Sequence, residues 1–304
     1  MREAVIVSAA RTAIGRAKKG SLRDTRPEYF ASEMIKGLIE RTPGLEPQMI
    51  TDVMLGCAMP EGEQGMNVAR LIAFAAGLPN EVPAITVNRF CSSGSQTIAL
   101  AADSIRAGNA DIVIAGGVES MSMVAMGGNK PIAYPGLMDT MPNAYAAMGT
   151  TAEVVARRFG ITREAQDEFA YNSHKKAVAA LESGKFSEEI VPLDVRVREN
   201  GGWRDIHFDA DEGPRADTTV EGLAKLKPVF DPMGTVTAGN ASQINDGAAA
   251  VVIMGKDVAD TLELEPIAFV RHWAVAGVDP DIMGIGPTVA VPKLLDRAGL
   301  TLDD

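Results

Sequence analysis

Residues 82–122 limit the fold of this chain more than any other stretch. Positions 82–87 form a short apolar run of strand length. Arg89-Phe90-Cys91-Ser92-Ser93-Gly94 is a turn rich in small residues, and Ser95-Gln96-Thr97-Ile98-Ala99-Leu100-Ala101-Ala102 opens a helix. A second buried strand, Ala110-Asp111-Ile112-Val113-Ile114-Ala115, then runs into a turn at Gly116-Gly117, where paired glycines let one backbone lie close to another. Strand, turn, helix and strand make a right-handed βαβ unit, which belongs in a mainly parallel sheet with helices on its faces.

The same order places the Cys91 thiol at or just before a helix N-terminus. Unpaired N–H groups and the positive end of the helix dipole favour thiolate over thiol there. Ser92, Ser93 and Gly94 have little bulk, so a carbonyl carbon can approach the sulfur. A covalent nucleophile for acyl transfer is one reading. The other is packing, since free cysteine is among the most buried residue types.

Composition narrows the classes. Hydrophobic residues make up 46%, charged residues 23%, and glycine occurs 30 times, which is the make-up of a folded α/β enzyme and not of a disordered chain. The two cysteines, Cys57 and Cys91, stand in unlike contexts and give no disulfide framework, in keeping with a reducing, cytoplasmic setting. No apolar run has the length of a membrane span, and the first strand begins directly after Met1-Arg2-Glu3, leaving no room for a signal or transit peptide. A net charge of −11 argues against nucleic acid or an anionic membrane as partner.

Three regions are expected: 1–122, alternating strands and helices around the nucleophile; 123–246, loops rich in Gly, Pro and Met with amphipathic helices; and 247–304, where strand-and-helix texture returns. Helices are expected over 27–41, 66–77, 152–159 and 164–183, the last opened by Thr162, and through 289–295. Residues 196–215 read as an irregular charged stretch, and 248–254 and 266–277 as strands.

Several long pieces, in order along the chain, resemble the thiolase family of acyl-CoA acyltransferases. They are Val5-Ile6-Val7-Ser8-Ala9-Ala10-Arg11-Thr12, the Cys91 turn, Gly116-Gly117-Val118-Glu119-Ser120-Met121-Ser122, Met148-Gly149-Thr150-Thr151-Ala152-Glu153, and Val236-Thr237-Ala238-Gly239-Asn240-Ala241-Ser242-Gln243-Ile244-Asn245-Asp246-Gly247-Ala248-Ala249-Ala250. The resemblance implies a duplicated α/β/α layered fold with an inserted loop domain that covers CoA. It implies cleavage of 3-oxoacyl-CoA by CoA, or the reverse condensation, through an acyl group on Cys91. Ser242 resembles the serine on the pantetheine arm, Arg215 an arginine near the nucleotide end, and Met148 the methionine beside the thioester. Each also has a plainer reading: a turn cap, a solvated ion pair and a core filler. Many thiolases have a histidine just before that methionine, where this chain has Ala147. The resemblance implies CoA and acyl-CoA as substrates, no bound metal or redox cofactor, and a homodimer or homotetramer.

The final region matches the start of the first half and stops one residue short of its next strand, so the second half is expected to be incomplete. The Asn-Glu-Ala-Phe, Gly-His-Pro and second-cysteine motifs of thiolases are not in this sequence. His174 reads as part of a solvated helix face, His207 as local hydrogen bonding or surface, and His272 as structural within a strand. None is given a catalytic role, and Cys57 reads as a small buried residue. Asn240 and Asp246 are expected to hold their turn together. A chain without its acid and base is expected to be aggregation-prone and to turn over little substrate. Two alternatives to a working thiolase therefore stand: a catalytically incomplete CoA-binding or partner protein, and a ketosynthase-type condensing enzyme.

Overall fold

The computed structural model describes residues 2–304, and its chain divides into two compact units. The first comprises the residues up to Lys130 with Gly184–Gly213 and Gln243–Arg271; the second comprises Pro131–Ser183, Pro214–Ser242 and His272–Asp304. The strands are β1 (Ala4–Arg11), β2 (Gly15–Arg16), β3 (Asp52–Gly56), β4 (Ala84–Val87), β5 (Ile112–Ser120), β6 (Leu193–Glu199), β7 (Gly202–Phe208), β8 (Asn245–Gly255) and β9 (Ala268–Phe269). The helices are α1 (Pro27–Glu40), α2 (Val68–Ala75), α3 (Ser93–Arg106), α4 (Pro135–Thr140), α5 (Met148–Phe159), α6 (Arg163–Glu182), α7 (Val220–Ala224), α8 (Lys256–Thr261) and α9 (Gly286–Ala298).

The first unit is a sheet in the order β4-β3-β5-β8-β1-β9, with β2 also on β8. Alternation along each strand divides the core in two. Val53, Leu55, Ile112, Ile114, Val252 and Met254 face one cluster, where Phe30, Met34 and Leu38 of α1 and Val68 and Ile72 of α2 fill the layer. Met54, Val113, Ala115 and Ile253 face the other, with Ala101, Ala102 and Ile105 of α3. Period-2 strands between period-3.6 helices therefore give helices on both faces of one sheet. Pro27 begins α1, where its missing N–H is harmless, and the Asn67 side chain caps α2 by accepting the Arg70 N–H at 3.4 Å.

The sheet is mixed, where the sequence suggests a mainly parallel one. β3 is parallel to β4 and β5, but β8 is antiparallel to both β5 and β1. The chain leaves the sheet at the end of β5 and re-enters beside it, Asp246 opposite Ser120, so β8 must run back. Gly116 and Gly117 are inside β5 and not in a turn. A Cβ on Gly116 would lie 2.1 Å from the Ala249 carbonyl oxygen and 2.6 Å from the Ala250 Cα, so close strand approach uses the glycine that the sequence assigns to a bend.

Two further expectations are corrected. Most of the charged stretch 196–215 is ordered: β6 and β7 form an antiparallel hairpin whose Leu193, Val195 and Val197 are buried while Asp194, Arg196 and Arg198 face solvent. Asn200 and Gly201 turn it, with φ of 51° and 82°, the left-handed pair that a two-residue hairpin turn requires. In 266–277 only Ala268–Phe269 is strand, and His272 lies outside it, exposed.

In the second unit α5 ends at Gly160 in the left-handed region (φ 65°), and Thr162 caps α6 by accepting the Ala165 N–H at 3.2 Å. α5 packs on the 3-10 segment Pro280–Ile285, and α6 on α7.

Replacing Gly116 by Ala should lower stability by about 1–3 kcal/mol, the range for overpacking a tight core site. The atoms it meets belong to backbone that cannot rotate away. A lower urea midpoint at unchanged m-value is the expected result.

Candidate active site

Cys91 is exposed, two residues before the first residue of α3. The turn that presents it is strained and braced. Phe90 has φ 46°, in the left-handed region that disfavours a bulky side chain, and the residue is 62% exposed, so packing does not hold it there. Hydrogen bonds do. The Asn88 Oδ1 accepts the Phe90 N–H at 2.8 Å, and its Nδ2 donates to the Ala58 carbonyl at 3.0 Å. The buried Ser93 hydroxyl donates to the Phe90 carbonyl at 2.6 Å and accepts the Arg89 N–H at 2.8 Å. Gly56 completes the seat: a Cβ there would lie 2.5 Å from the Ser93 Cβ, so only glycine lets the head of α3 settle against β3.

The second thiol has the opposite setting. Cys57, at the end of β3, is 1% exposed. Burial first, and the nearby Glu119 carboxylate second, push its pKa up to about 12. Glu119 accepts the Ala58 N–H at 2.7 Å and the Gln64 amide at 2.7 Å, while the fully buried Gln64 also donates to the Met59 carbonyl at 2.9 Å and accepts the Ser120 N–H. This network fixes the Ala58 backbone against which Asn88 is anchored. Where β5 ends, the buried Asp246 accepts the Ser122 N–H at 2.8 Å and the Ser122 hydroxyl at 2.5 Å. Burial raises the Asp246 pKa against the pull of those donors.

The three residues implied as CoA contacts all belong to the second unit. Met148 begins α5 and is exposed; the next residue, Gly149, has the Phe230 ring against it, 2.3 Å from where a Cβ would sit. Ser242 is exposed just after the turn 237–241, in which the Asn240 Oδ1 accepts the Thr237 N–H at 2.7 Å and the Ala241 N–H bonds to the Thr237 carbonyl at 3.1 Å. Arg215 is exposed, 3.6 Å from Asp217. Its backbone N–H donates to the Nδ1 of His174 at 3.2 Å, so His174 is not the free surface group suggested by its helix face. Burial, and then Arg215, lower the His174 pKa. His207, on the hairpin, bonds to Asp194 at 2.8 Å, which raises its pKa. Among the described residues no cluster of three His, Cys, Asp or Glu side chains is placed to hold a metal ion, and no helix is long and apolar enough to cross a membrane.

Asn88, Ser93 and Gly56 carry no chemistry of their own, and composition gives no sign of their role. Asn88 does have a local signal: an asparagine two residues before a strained position forms an Asx-turn.

The family model described as Thiolase, N-terminal domain matches residues 4–257, and Thiolase, C-terminal domain matches residues 264–304. A 3-ketoacyl-CoA thiolase of Bacillus subtilis (strain 168) is 50% identical over all of this chain and 79% of its own length. One from Idiomarina loihiensis is 45% identical over all of this chain and 78% of its own. The crystal structure of the Bacillus anthracis acetyl-CoA acetyltransferase superposes with a TM-score of 0.88 at 39% identity, covering all of this chain and 78% of that one. Fold and matches together define an acyltransferase enzyme of mixed α/β architecture. The chain belongs to the thiolase family.

Iodoacetamide at pH 8 should label Cys91 and leave Cys57 unmodified in the folded protein, because Cys57 is both inaccessible and far below its pKa. Peptide mapping that finds Cys57 labelled first would contradict this contrast. Ser93→Ala should cost about 1–3 kcal/mol, since it leaves a buried turn without its bridging hydroxyl, and should change the Cys91 alkylation rate while the m-value stays constant.

Proposed function

We propose that the chain is a thiolase acting on 3-oxoacyl-CoA, with Cys91 as nucleophile. The observation that carries the reading is the exposed Cys91 thiol on its braced turn at the head of α3, in a chain of this family. The Cys91 thiol loses its proton to a base, and the sulfur bonds to the C3 carbonyl carbon. The C2–C3 bond then breaks, its electron pair passes to C2, and the acetyl-CoA enolate takes up a proton and leaves. The acyl group remains as a thioester on Cys91. The thiol of a second CoA loses its proton and attacks that thioester, and Cys91 departs as thiolate. Run backward, the same steps condense two acyl-CoAs. Each oxyanion formed at the carbonyl needs donors aimed at it, and the N-terminal end of α3 is supported as one source. Neither His174, held by Arg215, nor His207, held by Asp194, is assigned as the base.

CoA enters this reading as substrate, with no bound cofactor. Ser242 would hydrogen-bond the pantetheine arm, Arg215 would meet the nucleotide phosphates, and Met148 would lie beside the thioester, which makes region 123–246 the CoA-covering part. Ser242 and Arg215 are both exposed, which suits contact with a ligand. The reading extends to a cytoplasmic homo-oligomer, dimer or tetramer. The free thiols of Cys57 and Cys91 suit the compartment, and the open edge of β4, with Ile85 exposed, suits association.

The test is formation of acetyl-CoA from a 3-oxoacyl-CoA and CoA. Cys91→Ala should lower kcat at least about a thousandfold, since it removes the bond-forming atom; retained turnover would reject Cys91 as nucleophile. Ser242→Ala should weaken CoA binding by about 0.5–1.5 kcal/mol, one neutral hydrogen bond. Arg215→Ala should weaken it by an amount that shrinks as salt is raised. Binding without turnover would favour a CoA-binding protein over an enzyme.

A further inference from the structure

Two buried carboxylates in the second unit remain outside this chemistry, and both grip one segment. Glu153, on α5, is 2% exposed. Its Oε1 accepts the N–H of Thr235 at 3.0 Å and of Val236 at 2.8 Å, and its Oε2 accepts the Thr235 N–H at 3.0 Å and the Thr235 hydroxyl at 3.3 Å. Gly234 makes the approach possible: a Cβ there would lie 2.1 Å from Glu153 Oε1. Asp167, on α6 and also 2% exposed, accepts the Arg163 guanidinium at 2.8 Å and the Asn240 amide at 2.9 Å. The Asn240 amide also donates to the Thr235 carbonyl at 3.0 Å, and its oxygen holds the Thr237 N–H. Gln166 adds a bond to the Thr235 hydroxyl at 2.9 Å.

Packing alone does not call for such groups. An apolar side chain of similar size fills a buried site without the desolvation cost of a carboxylate, and replacing buried charge in this way is often neutral or stabilising. A carboxylate adds direction, because its oxygens fix where the N–H groups must point. Here two helices direct the two ends of residues 235–240, and the chain emerges from that clamp at Ser242.

We propose that Glu153 and Asp167 are positioning residues for CoA recognition, holding the turn 235–241 so that the Ser242 hydroxyl is set for the pantetheine arm. The proposal rests on the assignment of Ser242 to CoA. Neither carboxylate touches substrate; both act through the backbone between them. Glu153→Gln keeps one oxygen for the Thr235 and Val236 N–H groups and loses only the acceptor at Oε2, so it should weaken binding less than Glu153→Leu. Glu153→Leu and Asp167→Asn remove or reverse acceptors and should weaken binding.

The experiment is calorimetric titration of the full chain with CoA, paired with the alkylation rate of Cys91 as a measure of an intact first unit. Glu153→Leu and Asp167→Asn should each raise the dissociation constant about three- to tenfold, the equivalent of one hydrogen bond. Glu153→Gln should have a smaller effect than Glu153→Leu, and Cys91 alkylation should not change. In a Ser242→Ala background the two substitutions should lose most of their effect, as expected for groups acting through one contact. Unchanged affinity in both variants, or effects that add fully to that of Ser242→Ala, would overturn the proposal while leaving Ser242 as a CoA contact. If Ser242→Ala alone binds CoA normally, the contact assignment itself fails, and the positioning role falls with it. Should Glu153→Leu not fold, Asp167→Asn, which keeps one oxygen for Arg163, decides the matter alone.

Discussion

The first unit depends on β8. That strand joins β5 on one side to β1 on the other, and without it the parallel group β4-β3-β5 and the edge pair β1-β9 have no common hydrogen-bonded neighbour. The contact is close because Gly116 lets the Ala249–Ala250 backbone come near. Its inward residues serve both cores, Val252 and Met254 on the α1–α2 side and Ile253 on the α3 side. Asp246 at its start ties down Ser122, just past the end of β5. One strand thus joins the two parts of the sheet and ties down the chain just past β5.

Much of this was legible in the sequence. The apolar runs gave β4 and β5, the turn of small residues gave the head of α3, and Thr162 marked the start of α6, because in each case a local period or cap decides the outcome. Strand direction was not legible. The antiparallel course of β8 follows from where the chain re-enters the sheet, and a central strand reads as apolar in either direction. The β6–β7 hairpin was legible in principle, since Leu193, Val195 and Val197 alternate with charged residues ahead of Asn200-Gly201. High charge masked the period. Gly116-Gly117 signals close backbone approach, and the structure has it, but within β5 and not in a turn.

At the candidate site, Cys91 stood out in the sequence and the groups that brace its turn did not. Cys91 is conspicuous because of its turn, whereas Asn88, Ser93 and Gly56 act only through hydrogen bonds or missing bulk. The contrast between the two thiols is equally three-dimensional. Cys57 and Cys91 each follow a strand of the same sheet, yet one is sealed beside Glu119 and the other is open. His174 shows the same limit: its neighbours in sequence are polar, but its ring nitrogen receives a backbone N–H from Arg215, 41 positions away.

The position of β8 in the chain also governs the order of assembly on the ribosome. β1 is synthesised before the other strands of its sheet, but its partners are β8 and β9, so its pairing waits for residues from Asn245 onward. At about 5–20 residues per second the nascent chain spends on the order of ten seconds or more with that N-terminal strand unpaired. Throughout that interval β3, β4 and β5 can already associate in parallel, leaving the outer edge of β5 open for the returning strand. The first unit therefore cannot complete its sheet until β8 and β9 have been made, and β1 is among the last of its strands to be enclosed.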